Sequence, residues 1–217
     1  MKRKMLLWIL LLAMLISGGG IGYYYWYQGT HYVKTEDARI QGDQYRIMPQ
    51  IAGEIMRIHV EEGDVVQEND AIAEQDPANM DPSMVSRSVL RAPISGVVVK
   101  VFAKEHEMGA PGQPVAVMMD FKHLYVSANI EETDISKIHP GQKVDITLDA
   151  ANGKTITGKV RKIGKASNST FALIPATNAS GNFNKVTQRI PVEISIDKPD
   201  AVELIPGTNV EIKVHIT

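Results

Sequence analysis

The sequence predicts a mainly β protein with a single amino-terminal transmembrane helix, a β-sandwich built from two half-motifs, and a carboxyl-terminal β-barrel. Three observations predict it: an uncharged stretch behind three basic residues, an internal repeat at a spacing of 43 residues, and four alternating apolar runs after His123.

The helix comes first. Lys2, Arg3 and Lys4 precede residues 5–27, which carry no formal charge. As a helix that stretch reaches about 34 Å at about 1.5 Å per residue, against about 30 Å of bilayer hydrocarbon, so it spans once. Basic residues on its amino-terminal side alone place residues 1–4 in the cytoplasm and everything after Gln28 outside the cell membrane. Tyr23, Tyr24, Tyr25, Trp26 and Tyr27 then fall at the outer interface, where amphipathic rings are favoured. A cleaved signal peptide is the second reading, because the densely apolar part is only residues 5–16 and small residues follow at 17–20. Both readings export the rest of the chain.

The exported part opens with a linker and strand over residues 28–45 that joins the barrel, followed by the sandwich over residues 46–120. PQIAGEIMRIHV (residues 49–60) resembles APISGVVVKVFA (residues 92–103), with Ile51 matching Ile94, Gly53 matching Gly96 and Arg57 matching Lys100. Met56, Ile58 and Val60 alternate with Arg57 and His59; Val99, Val101 and Ala103 alternate with Lys100 and Phe102. Period-2 alternation puts one strand face on a core and the other toward water. Each half opens with a glycine, suited to a close approach or a bulge, and ends in a turn-rich stretch before a short apolar run at 71–73 or 115–119. Neither half buries its apolar face alone, so halves 46–75 and 91–120 are expected to pack face to face. Residues 76–90 form a short loop between them.

The barrel is expected over residues 121–217. Leu124, Val126, Ala128 and Ile130 alternate, as do the apolar positions of residues 144–148, 190–196 and 210–216. A short helix over residues 131–139 should stop at Pro140 and Gly141. Residues 168–184, rich in Asn, Ser, Gly and Thr around an apolar Phe171, read as a long loop, either a contact surface or a solvated excursion.

Chemistry is absent from the pattern. With 25 acidic against 23 basic residues and a formal charge of -2, the chain lacks the basic excess of a nucleic-acid binder. No cysteine is present, which excludes disulfides, thiolate metal sites, cysteine nucleophiles and a lipidated cysteine. The six histidines stand apart in sequence with no metal-ligand spacing, and neither a phosphate loop nor a GxSxG elbow occurs. Carboxylate pairs such as Glu61-Glu62 and Glu131-Glu132 sit in turn or helix-start contexts that favour solvated surfaces. The expectation is a non-enzyme without catalytic residue, cofactor or metal. Paired half-units also describe biotinyl and lipoyl carrier domains, but residues 67–90 contain no lysine to carry the group.

Three stretches carry a family resemblance: TEDARIQGDQYRIMPQIAGEI (residues 35–55), NIEETDISKIHPGQKVDI (residues 129–146) and LIPATNASGNFNKVTQRIPVEI (residues 173–194). In matching order over nearly the whole chain, they resemble the membrane fusion proteins, or periplasmic adaptors, of the HlyD type, particularly the EmrA-like branch. The resemblance implies a lipoyl-like sandwich, a membrane-proximal β-barrel and a non-catalytic adaptor in multidrug efflux. It also implies an inner-membrane exporter as partner, of the major facilitator type, and admits a homo-oligomer. Adaptors of two-membrane bacteria insert a long α-helical hairpin between the lipoyl halves. Residues 76–90, with Pro77 and Pro82, are too short for one, so no outer-membrane duct is expected. An adaptor for an ABC-type secretion system and an exported envelope-binding module are the alternatives. The positions singled out are structural or family-motif residues: Gly53, Gly63, Pro93, Gly96, Gly141, Gly181 and Gly207 for backbone geometry, with Arg189 and Pro191 as a candidate polar contact and its neighbour.

Overall fold

A 30-residue helix, α1 (Lys2–His31), runs directly into β1 (Tyr32–Gln41). Eight short strands follow: β2 (Gln44–Ile47), β3 (Gly53–Ile58), β4 (Val65–Val66), β5 (Ala71–Gln75), β6 (Val89–Arg91), β7 (Gly96–Val101), β8 (Met108–Gly109) and β9 (Ala116–Met119). The chain closes with β10 (Tyr125–Glu131), α2 (Glu132–Ile135), β11 (Lys143–Leu148), β12 (Lys154–Ile163), β13 (Arg189–Ile196) and β14 (Asn209–His215). The computed structural model describes residues 2–78, 81–167, 170, 187–197 and 204–216, with the side chains of all these except residues 2–7, 9, 10 and 13. Two compact units result, one of Met1–Ile40 with Tyr125–Thr217 and one of Gln41–Leu124.

In the first unit six strands close a barrel in the order β1-β10-β13-β12-β11-β14. Alternation dictates the interior: Val126, Ala128 and Ile130 of β10, Val144 and Ile146 of β11, Val192 and Ile194 of β13 and Ile212 and Val214 of β14 are at most 1% exposed. Closure leaves no free sheet edge. β12 is the strand that sequence patterning missed, because its inward positions read Ile156, Gly158, Val160, with glycine where an apolar side chain would complete the run. The expected helix at 131–139 shrinks to the four residues of α2, followed by a turn in which Gly141 takes φ 93° and donates its N–H to the Val160 carbonyl.

The second unit has two four-stranded sheets, β2-β9-β7-β4 and β6-β5-β3-β8. The sequence repeat is present in the backbone hydrogen bonds. Gly63 N–H donates to Val98 O and His106 N–H to Ile55 O; Val101 N–H donates to Glu62 Oε1 and Ile58 N–H to Glu105 Oε1, every pair related by 43 residues. The turns follow suit, with positive φ at Gly63 and His106 and at Asn69 and Gly112. The halves do not simply stack, however. Each supplies the inner pair of one sheet and the outer strands of the other, because β4 pairs with β7 and β8 with β3. Met56 and Val99 also depart from the inward phase expected of them, being 50% and 39% exposed. A register shift falls at each, between Ile55 and Arg57 and between Val98 and Lys100. A bulge inserts one residue, so the core receives Ile55 and Ile58, and Val98 and Val101.

Two polar residues are buried in this unit, Gln75 and Ser88. Gln75, 1% exposed, donates its amide to the carbonyls of Ile51 and Gly53 at 3.1 Å each, where the other half has Met118. Gln75→Met should therefore destabilise the unit by about 1–3 kcal/mol despite matching its volume, because two carbonyls lose their donor. Denaturant midpoints measure it. At the unit's end, a hydrogen bond from His123, then one from the Lys122 N–H, holds the Asp120 carboxyl below its usual range against the opposing effect of burial. A depressed carboxyl stabilises above its unfolded value and loses that contribution as pH falls through its folded value. Asp120→Asn should thus lower stability at neutral pH and flatten its fall below about pH 4, read from denaturation across that window.

The segment between β5 and β6 holds, among its described residues, a single 3₁₀ turn at Val85–Arg87. Among the described residues no helix is long and apolar enough to cross a membrane. The expected span at residues 5–27 falls partly on side chains outside that set.

Candidate functional site

The registers give the barrel two distinct ends. Tyr32 opposes His215, Val144 opposes Val214, and Glu131 opposes Arg189, so the start of β1, the loop before β11 and the start of β13 share one rim. That rim carries α1, α2 and the turn at Gly141. The chain between β12 and β13 also leaves and returns there, at Ile163 and Arg189. At the other end lie the 3₁₀ turn Asp149–Ala151 and Gly207, where φ is 88°.

On the α1 rim, residues distant in sequence meet. A bulge in β1 between Thr35 and Ala38 turns Asp37 outward, and Asp37 Oδ2 accepts a hydrogen bond from Arg189 Nη1, 152 residues away. Thr35 Oγ1 donates to the Asn129 carbonyl on β10 at 3.2 Å and accepts from the Asp37 N–H at 3.1 Å. A cavity of about 550 Å³ opens beside them, lined by Lys34, Glu36, Asp37, Arg189 and Glu211 among others. The ion pair is half exposed, 52% at Arg189 and 35% at Asp37, so it orients the rim more than it stabilises the fold. Nearby, His215 Nε2 lies 2.7 Å from Asp145 Oδ2, its ring meets Tyr32 edge-on at 5.0 Å, and Lys213 Nζ sits 3.8 Å above the Tyr32 ring.

Of the singled-out residues, Arg189, Pro191 and Gly141 lie on β13 or at this rim. Gly181 and nearly all of residues 168–184 lie outside the described residues. Gly53, Gly63, Pro93 and Gly96 belong to the sandwich. A β carbon on Gly96 would stand 2.5 Å from the Met119 carbonyl oxygen, a close approach that only glycine permits. Two glycines escaped the sequence reading. A β carbon on Gly158 would stand 2.2 Å from Ser195 O, and one on Gly164 would stand 2.9 Å from Pro191 O. The break in the Ile156–Val160 alternation was the available signal for the first.

Four histidines, His59, His106, His123 and His215, each face a single carboxylate. Among the described residues no group of three or more His, Asp or Glu is placed to hold a metal ion. Among the described residues of the rim, no nucleophile stands beside a base.

Known proteins share this architecture. Residues 43–119 match the family model of the RND MFP barrel-sandwich hybrid domain and residues 124–214 that of the YknX-like β-barrel domain. The chain is 37% identical over 187 residues to YhbJ of Bacillus subtilis strain 168, whose name assigns it to an efflux system, covering 86% of this chain and 81% of that protein. It is 39% identical over 133 residues to the colistin resistance protein EmrA of Acinetobacter baumannii, covering 61% of this chain and 38% of EmrA. The solved periplasmic adaptor EmrA superposes over 86% of this chain and 99% of its own with a TM-score of 0.58 at 14% identity. Spr0693 of Streptococcus pneumoniae R6, a membrane fusion protein, covers 84% and 97% with a TM-score of 0.62 at 14% identity.

Proposed function

Because the chain belongs to the HlyD-type membrane fusion proteins, EmrA-like adaptors of efflux systems, we propose that it is the membrane-anchored, non-catalytic partner of a major facilitator exporter. The observation that carries the reading is the convergence of α1, α2, the end of β12 at Ile163, the start of β13 at Arg189 and the Asp37–Arg189 pair on one barrel rim. The described residues of two of the family's three characteristic stretches, residues 129–146 and 187–194, run through this rim, and the third stretch supplies Asp37.

Physical chemistry supports the anchor. α1 is 30 residues long, about 45 Å at about 1.5 Å per residue. Its described apolar side chains point outward on all sides, with Leu12 60%, Leu15 65% and Ile16 67% exposed. A helix apolar around its whole girth calls for a non-aqueous surround. With α1 in the bilayer, its barrel rim faces the membrane, where a transporter's outer surface lies. The adaptor then acts by binding one transporter state more tightly than another, which shifts the population toward that state.

Deleting the chain from its host should raise drug accumulation and susceptibility, and re-expression should restore export. Unchanged accumulation would remove the efflux role. Arg189→Ala should cost less than about 1 kcal/mol of stability, as an exposed pair does, yet fail to restore export. Thermal denaturation and complementation together separate the two effects.

A further inference from the structure

The sandwich unit contains a recess of its own. β2 and β6 are the end strands of opposite sheets and are counterparts in the internal repeat: Ile47 and Leu90, 43 residues apart, are 4% and 5% exposed. A cavity of about 290 Å³ opens beside these two residues, and its lining includes the exposed Arg46, Arg87 and Arg91 with the polar Ser86 and Gln50. We propose that this cavity binds a small phosphate ester.

Three observations carry the assignment. First, the lining holds three guanidiniums and no carboxylate, in a chain whose acidic residues outnumber its basic ones, 25 to 23. Second, among the described residues the side chains of Arg46 and Arg87 have no hydrogen-bond or carboxylate partner, whereas Arg161 is paired with Glu193 and Lys100 with Glu62. Third, Arg91 is held from outside the cavity, its Nη1 donating to the Asn69 carbonyl at 2.9 Å. That bond uses one of its five N–H groups and leaves the rest of the fork free.

Like charges gathered on one recess repel, and a bound dianion converts that repulsion into attraction. A guanidinium fork matches the oxygens of a phosphate with two parallel hydrogen bonds, which a point charge cannot do. Three such groups suit a double negative charge better than a single carboxylate. The volume sets the size, since at about 30 Å³ per water-sized unit the cavity holds on the order of ten non-hydrogen atoms. That is one phosphate and a short polyol.

The test is calorimetric titration of the full chain in detergent with glycerol 3-phosphate, and separately with a short polyglycerol phosphate ending in the same group. Saturable one-to-one binding is expected. Arg87→Gln and Arg46→Gln should each weaken it about tenfold with unchanged thermal midpoints, and Lys154→Ala on the barrel should leave it intact. Tighter binding of the free ester marks a soluble metabolite as the source, and tighter binding of the chain end marks an envelope polymer. Either agrees with the proposal. Absence of saturation, equal affinity in the arginine variants, or tighter binding of succinate than of glycerol 3-phosphate would overturn it. None of these results depends on the exporter, so the site and the adaptor role fail separately.

Discussion

Leu12→Arg together with Ile16→Arg is expected to abolish retention of the chain in membranes. Each arginine at the centre of a spanning helix costs about 2.5–3.5 kcal/mol and each lost aliphatic side chain forgoes about 0.5 kcal/mol, so the pair costs about 6–8 kcal/mol. Both positions lie in the part of α1 whose side chains stand exposed, so no packing within the chain competes with this effect. Alkaline extraction of membranes followed by immunodetection should find the wild-type chain in the pellet and the double variant in the supernatant. The same extraction with intact-mass measurement decides between an anchor and a cleaved signal peptide, since the anchor keeps residues 1–27. A wild-type chain that is trimmed, or a variant that still pellets, would remove the anchor from the account.

Gly158→Ala is the second large effect and concerns the barrel alone. An alanine in a strand ordinarily gains about 0.4–1 kcal/mol over glycine by restricting the unfolded chain. Here the added β carbon meets Ser195 O at 2.2 Å and the side chains of Ile146 and Ile194 at 3.0 and 3.2 Å. Backbone on an adjacent strand of a closed barrel cannot yield as the end of a flexible side chain can, so overpacking decides the sign and the cost is about 3 kcal/mol. Urea unfolding should show a clear drop in midpoint at an unchanged slope. A variant as stable as the parent would mean that β12 and β13 are not paired at Gly158 and Ile196 as described.

These two positions illustrate what sequence alone conveys. The apolar charge-free segment, the repeat at 43 residues and the alternation of β10, β11, β13 and β14 were legible because each is periodic or contiguous. β12 was not, because at Gly158 the constraint is steric and leaves no hydrophobic mark. Met56 and Val99 misled the phase of β3 and β7 because a bulge shifts the period by one residue without changing composition. The exchange of edge strands between the two halves was hidden for a related reason: pairing of β4 with β7 depends on turn geometry at Gly63 and Asp64, which hydrophobicity does not encode. At the rim, Arg189 could be singled out from its family stretch, but its partner Asp37 could not, since 152 residues separate them and only barrel closure brings them together. The arginine cavity was equally invisible, because Arg46, Arg87 and Arg91 converge only when β2 and β6 take the ends of opposite sheets.

Site-specific photocrosslinking in native membranes tests the adaptor reading most directly. A photoreactive residue replacing Asp134 or Gln188, on the α1 rim of the barrel, should capture a multi-span exporter of the major facilitator type, and the same residue at Asn152, on the opposite end, should not. Capture of wall enzymes from either end, or capture of the exporter from Asn152 but not from Asp134 or Gln188, would contradict the account.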